Sequence, residues 1–93
     1  MELKEQQMKE EAENPELENE PSNIEYLLDT TTYDVEIDLR IVNGEFYLGH
    51  DNPQYKIDYS WIINNKSRLW IHCKDMETLC TLYNPNIGLN YFF

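Results

Sequence analysis

The stretch YDVEIDLRIVNGEFYLG, residues 33–49, contains the clearest indication of secondary structure in this chain. Over residues 33–42 apolar and charged side chains alternate, and this period of two predicts a strand with one apolar and one charged face. Asn43-Gly44 favours a type I′ hairpin turn, so residues 45–48 are expected to return as a short second strand. The apolar positions are Val35, Ile37, Leu39 and Ile41, and the charged positions are Asp34, Glu36, Asp38 and Arg40.

Short helices are predicted on both sides of this hairpin. Ser22, with Glu25 three residues later, matches a capping box and predicts a helix over residues 22–29. Apolar residues at near-helical spacing predict a second helix over residues 58–64, with Asp58 at its cap. The side chains expected to be buried in the first helix are Ile24, Leu27 and Leu28.

The carboxyl-terminal part of the chain repeats the pattern of strand and helix. RLWIHCK, residues 68–74, alternates again, and Asp75 is expected to cap a helix over residues 76–83. A third strand begins within residues 88–93 and ends on aromatic residues, which indicates a chain cut from a longer domain. Strands that alternate with helices predict an α/β fold with a parallel sheet. The helix is expected to bury Met76, Leu79, Cys80 and Tyr83.

Composition divides the chain into an acidic leader and a folding region. Residues 1–20 contain eight Glu and two Lys with few large apolar side chains, which predicts a disordered leader or a solvated helix. Residues 21–93 are left to form the domain. The formal net charge of −11 argues against nucleic acid or an anionic membrane as partner, because either requires a basic patch.

Apolar runs and cysteines indicate the compartment. No apolar run approaches the roughly 20 residues that a membrane-spanning helix needs, so no span is predicted. Cys73 and Cys80 lack the spacing of a metal site, and we interpret them as reduced thiols in the core rather than as a disulfide. A cytoplasmic location follows from that interpretation.

Several charged residues could carry chemistry. Glu36 and Asp38 point to the same side of their strand, and two carboxylates suit Mg²⁺ or Ca²⁺. His50 lies in a Gly-His-Asp-Asn-Pro loop, where an imidazole can act as general acid or base. His72 and Lys74 share the charged face of the next strand and would converge with the carboxylates if the strands are neighbours. In each case an ordinary solvated face is the alternative.

The wider string DVEIDLRIVNGEFYLGHDNPQY, residues 34–55, combines Glu36-x-Asp38, a hairpin and then His50-Asp51. This arrangement resembles the E-x-D…H-D core of the glycerophosphodiester phosphodiesterases. LWIHCK, residues 69–74, is similar to the following strand of that family, which carries an inward lysine. The resemblance runs over residues 14–93 and implies an amino-terminal part of a (β/α)-barrel, with about three parallel strands and a β-hairpin.

The resemblance also implies an activity and roles for residues. It implies a metal-dependent phosphodiester hydrolase acting on glycerol phosphodiesters such as deacylated phospholipid headgroups. A divalent cation, Ca²⁺ or Mg²⁺, would be held by Glu36 and Asp38, with His72 where many members place a glutamate. His50 would transfer a proton to the leaving alkoxide or from the attacking hydroxyl, and Lys74 would offset the phosphate charge.

Two features of the sequence depart from the family. The family begins with a His-Arg motif on its first strand, whereas residues 1–20 contain neither His nor Arg. A (β/α)₈ barrel also needs about 250 residues, so activity would require a complementing chain or a homo-oligomer. The alternative function is a non-catalytic remnant or a small acidic interaction protein.

Overall fold

A computed structural model describes residues 19–84 and 86–93 of the chain. These residues form an open sheet of five strands with three short helices. The leader predicted over residues 1–20 lies outside the described residues, apart from Asn19 and Glu20.

The sheet is built around the alternating stretch that the sequence singled out. Its strands stand in the order β3-β2-β1-β4-β5. β1 pairs in parallel with β4, and β4 in parallel with β5, whereas β2 and β3 run antiparallel beside β1. The strands are β1 (Val35–Val42), β2 (Glu45–Leu48), β3 (Tyr55–Ile57), β4 (Leu69–Cys73) and β5 (Tyr91–Phe92).

The predicted mixed α/β class, the parallel strands and the hairpin are confirmed. Asn43 and Gly44 have φ angles of 52° and 79°, as a type I′ turn requires. The described strands do not close into a barrel, because β3 and β5 are both edges of the sheet. The short strand β3 was not predicted, since a segment of three residues carries no readable alternation.

The apolar face of the sheet is covered by the helices. Ile24 and Leu27 of α1 and Ile62 of α2 are buried in the same core as the odd-numbered residues of β1. The helices are α1 (Pro21–Thr30), α2 (Tyr59–Asn65) and α3 (Met76–Leu82), and a 3₁₀ turn (Lys66–Arg68) joins α2 to β4. The even-numbered residues of β1 and β4 therefore lie on the opposite, polar face.

The predicted start of the first helix is wrong. α1 begins at Pro21, with Glu20 at the N-cap and no capping hydrogen bond from a side chain. Proline suits this first position because its fixed φ fits a helix and its missing N–H would have no helical partner. Ser22 instead donates to the Glu20 carboxylate, and Glu25 accepts a hydrogen bond from Trp61 Nε1 at 3.0 Å.

The predicted buried face of the third helix is confirmed only at Leu79, which is partly buried against the core. Thr78 and Leu82, four residues apart, are its buried residues, whereas Met76, Cys80 and Tyr83 are exposed. Asp75 caps the helix as predicted, and its carboxylate accepts a hydrogen bond from Thr78 N at 2.7 Å. The side of the helix that carries Met76, Cys80 and Tyr83 therefore faces away from the core.

The cap of α3 gives a pH-dependent prediction. Burial alone would raise the pKa of Asp75, but hydrogen bonds from Thr78 and Ile41 and the charge of Arg40 lower it below its ordinary value of 3.8. A lowered pKa stabilises the fold above the unfolded value and ceases to do so as the pH falls through the folded value. We expect Asp75→Ala to cost about 1 kcal/mol near neutral pH.

Urea unfolding of the two proteins at several pH values measures this effect. The difference in unfolding free energy between wild type and Asp75→Ala should be constant near neutrality and shrink below pH 3.8. Asp75→Asn is the control, because asparagine caps helices well without a charge. If the difference in unfolding free energy stayed constant below pH 3.8, the ionised Asp75 carboxylate would not be the group that stabilises α3.

Candidate functional site

The parallel register of β1 and β4 brings the predicted site residues to the same polar face. Asp38 lies opposite His72, and Glu36 lies opposite Trp70. Lys74 follows β4 directly, and its backbone N–H donates to the Leu39 carbonyl at 2.9 Å. The convergence expected for neighbouring strands is thus present in the backbone register.

Asp38 is the centre of this face. It is only 7% exposed, yet its carboxylate meets two imidazoles. His72 Nδ1 lies 3.0 Å from Oδ1, and His50 Nδ1 lies 3.3 Å from Oδ2. An ionised carboxylate has no proton to donate, so Nδ1 of each ring must be the donor. With Asp38 as the acceptor, each ring carries a proton on Nδ1 and directs Nε2 away from Asp38; Nε2 of His50 lies 3.8 Å from Asp51 Oδ1.

Asn19 completes the surroundings of Asp38 from a third part of the chain. Its side-chain Nδ2 donates to Asp38 Oδ2 at 3.0 Å, and its Oδ1 accepts from the Asp38 backbone N–H at 2.7 Å. Asn19 is 4% exposed and has a φ of 63°, a left-handed conformation that asparagine tolerates. The side-chain amide thus bonds to the backbone of β1 just beyond the end of β2, because Leu39 and Leu48 form the last pair between these two strands.

Sequence reasoning missed Asn19, which it had assigned to the leader. Asn19 belongs to the stretch 14–19 over which the resemblance begins, but neither that resemblance nor the conformational tolerance of asparagine indicated a contact with Asp38. Phe92 was also missed. Its ring stacks on His72 with 4.9 Å between centroids and 4° between planes, so β5 covers one face of that imidazole.

The loop that carries His50 is closely packed. A side chain at Gly49 would place its Cβ 1.8 Å from the Asn52 carbonyl oxygen, so only glycine fits there. The Gly49 N–H donates to the Asp38 carbonyl at 3.1 Å, which attaches the start of the loop to β1. The backbone of Gly49, just before His50, is therefore held against β1, whereas the His50 side chain remains 54% exposed.

The structure brings Asp38, His50 and His72 into direct contact. Glu36 lies two residues before Asp38 on the same face of β1 and is half-buried, as is Lys74 at the end of β4. Within residues 19–84 and 86–93, no group of three or more His, Cys, Asp or Glu side chains is arranged to hold a metal ion. The imidazole nitrogens that approach Asp38 point at its oxygens rather than at a shared centre.

The thiols do not contribute to this face. Cys73 is buried on the apolar side of the sheet, and burial, with the charge of Asp75, raises its pKa to about 11. A neutral, buried thiol is neither a nucleophile nor a metal ligand. Cys80, predicted in the core, is exposed on α3, and both cysteines are free thiols as predicted.

Comparison with protein-family models, with curated proteins and with solved structures finds no match for this chain. The resemblance to glycerophosphodiester phosphodiesterases therefore stays a prediction from the residues quoted above. In the described part of the chain, no helix has both the length and the apolar character needed to cross a bilayer. The cytoplasmic location stays a prediction as well.

The role of Asn19 gives a stability prediction. Asn19→Ala removes two hydrogen bonds to Asp38 and leaves a buried backbone N–H unpaired, at a cost of about 1–3 kcal/mol. Asn64→Ala, at an exposed position of α2, is the matched control and should change stability by less than about 0.5 kcal/mol. Denaturant unfolding curves of the three proteins measure both changes. Equal curves for the two variants would mean that the Asn19 contact contributes nothing.

Proposed function

We propose that this chain carries a phosphodiester hydrolase site of the glycerophosphodiester phosphodiesterase type, in which Asp38 orients His50 for proton transfer. One observation supports the proposal above the others: a single buried carboxylate on an open sheet face contacts imidazoles from two other elements. The resemblance adds the reaction class and the substrate class, a glycerol phosphodiester.

The orientation of His50 suits acid-base chemistry. Because Nδ1 donates to Asp38, Nε2 is the nitrogen that can take a proton from an attacking hydroxyl. As the attacking oxygen bonds to phosphorus, the P–O bond to the leaving alkoxide breaks and the alkoxide is protonated by water; the imidazolium then returns its proton to solvent. The ionised Asp38 stabilises the imidazolium between these two steps, and the exposed side of the ring lets a substrate approach.

The other predicted residues flank this pair. Lys74, just after β4, is proposed to offset the charge of the phosphate. His72 is less exposed than His50, at 31%, and is held between Asp38 and Phe92. Because its ring is held on both sides, His72 is proposed to keep one orientation and to form part of the wall of the site. A second copy, or a complementing chain that adds residues to the open polar face, is part of the proposal.

The cation implied by the resemblance is proposed to bind through Glu36 and Asp38, with His72. In the described arrangement these residues do not fit a cation directly, because the Asp38 oxygens already accept from Asn19, His50 and His72. Binding at Asp38 would have to displace one of these donors, so cation and imidazole compete for the same carboxylate. We therefore assign no step of the reaction to the cation.

The three contacts that the Asp38 carboxylate accepts also favour a second function. A buried carboxylate satisfied by three protein donors is also what a purely structural polar cluster requires. In that case the chain is a non-catalytic, acidic interaction protein whose polar face stabilises the fold. The two functions differ in whether loss of the His50 imidazole abolishes an activity or only alters stability.

Hydrolysis of a glycerol phosphodiester tests the catalytic proposal. Release of the alcohol from glycerophosphocholine is measured for wild type and for His50→Asn, whose kcat should fall roughly 10²- to 10⁴-fold if the imidazole transfers the proton. Asn52→Ala, an exposed change in the same loop, is the control and should keep the wild-type rate. Equal, background release from wild type and His50→Asn would favour the non-catalytic function.

Thermal unfolding with and without millimolar Ca²⁺ or Mg²⁺ tests the cation proposal. A cation at about 100 times its Kd should stabilise wild type by about 2.7 kcal/mol. Glu36→Gln should lose most of this gain, since it removes one charged ligand at constant size. Glu45→Gln, at an exposed position of β2 where Glu45 pairs with Lys56, is the control, and its cation response should equal that of wild type. The same response from all three proteins would mean that the cation does not bind at Glu36.

A further inference from the structure

Arg40 holds the loop that carries His50. Its guanidinium Nη2 donates to the Gly49 carbonyl at 3.0 Å and to the His50 carbonyl at 2.7 Å. Both acceptors are backbone oxygens, and one of them belongs to His50 itself. Arg40 lies two residues after Asp38 on the same face of β1, so one strand provides both the carboxylate and the support of the loop.

The loop is fixed at its other contacts as well. The Gly49 N–H bonds to Asp38, and Gln54 N–H bonds to the Leu48 carbonyl at 3.0 Å, closing the segment onto the end of β2. The missing side chain of Gly49 lets the chain fold back against Asn52. Between these points, Arg40 donates to the backbone carbonyl of His50.

We propose that Arg40 is a positioning residue, which holds the His50 backbone so that the imidazole Nδ1 stays on Asp38. This inference rests on the proposed role of His50 in proton transfer, and it assigns Arg40 no contact with substrate. The reason is geometric. At 3.3 Å the His50 contact is the longest that Asp38 makes, and the ring is half-exposed, so the contact depends on where the backbone is held.

The position of the guanidinium supports this role. Arg40 Nε is buried without a hydrogen-bond partner among the described residues, an unfavourable arrangement that accompanies the two hydrogen bonds from Nη2 to the loop. Its charge also favours the ionised form of Asp75, at the start of α3. The guanidinium thus interacts with both the His50 loop and the carboxylate that caps α3.

Arg68 provides a matched comparison within the same chain. Its guanidinium also donates to backbone carbonyls, at 3.0 Å to Leu28, 2.9 Å to Thr31 and, from Nε, 3.0 Å to Tyr33. These carbonyls belong to the end of α1 and the segment after it, away from the His50 loop. Loss of Arg68 should therefore weaken the fold in a similar way without affecting His50.

Nitrogen-15 spectra of the histidine rings test the inference. In wild type, His50 and His72 should both show the signature of a ring protonated at Nδ1. In Arg40→Met, which keeps the apolar stem and removes the donors, His50 should lose that signature while His72 keeps it. Arg40→Lys should restore it in part, since an ammonium group can donate to both carbonyls. Arg68→Met should leave both rings unchanged.

Kinetics on glycerophosphocholine give the second measurement. A misplaced general base should lower kcat roughly 10- to 100-fold in Arg40→Met, with little change in KM. If Arg40→Met does not fold, the spectra and kinetics are repeated on Arg40→Gln, whose shorter side chain reaches at most one of the carbonyls. The backbone amide spectrum decides whether each variant is folded.

The outcomes separate this inference from the proposed function. Retention of the Nδ1 signature of His50 in folded Arg40→Met, or its equal loss in Arg68→Met, would overturn the positioning role. A wild type without hydrolysis would overturn the proposed function, and the ring spectra would still decide whether Arg40 positions His50. Loss of the signature with an unchanged kcat would show that the Asp38 contact is not needed for catalysis, which also overturns the role.

Discussion

The carboxylate of Asp38 is the group on which the rest of the polar face depends. A buried carboxylate is costly unless it is paired, so every element that approaches it must present a donor. β4 provides His72, the loop after β2 provides His50, and the segment before α1 provides Asn19. Satisfying this one group therefore determines where three separate parts of the chain meet.

Much of the fold could be predicted because its signals are local. The alternation of β1 and β4, the Asn43-Gly44 turn and the Asp75 cap each occupy a few neighbouring residues, and each was predicted correctly. One of the errors arises where distant contacts decide. On α3 the sheet selected Thr78 rather than Cys80 for burial, whereas the start of α1 was misplaced by a local signal, the proline at position 21.

The candidate site shows the same difference between local signals and contacts of distant residues. Asp38, His50 and His72 were chosen by residue type and by the resemblance, and the strand register then brought them together. Asn19 could not be predicted, because its contact spans 19 residues and depends on how the chain enters α1. Phe92 required knowledge that β5 pairs in register with His72. The chemistry was visible in the residue types, whereas the supporting residues depended on tertiary structure.

The partners of Asp38 lie at different distances from it along the chain, and these distances affect the order in which the contacts form during folding. The contacts with His50, Asn19 and His72 close loops of 12, 19 and 34 residues. Closing longer loops costs more chain entropy before any contact offsets it, so distant pairings form slowly. The hairpin, with its turn of two residues, can form early, and His50 can reach Asp38 soon after. His72 reaches Asp38 only once β4 has docked, so the complete cluster is a late event in folding.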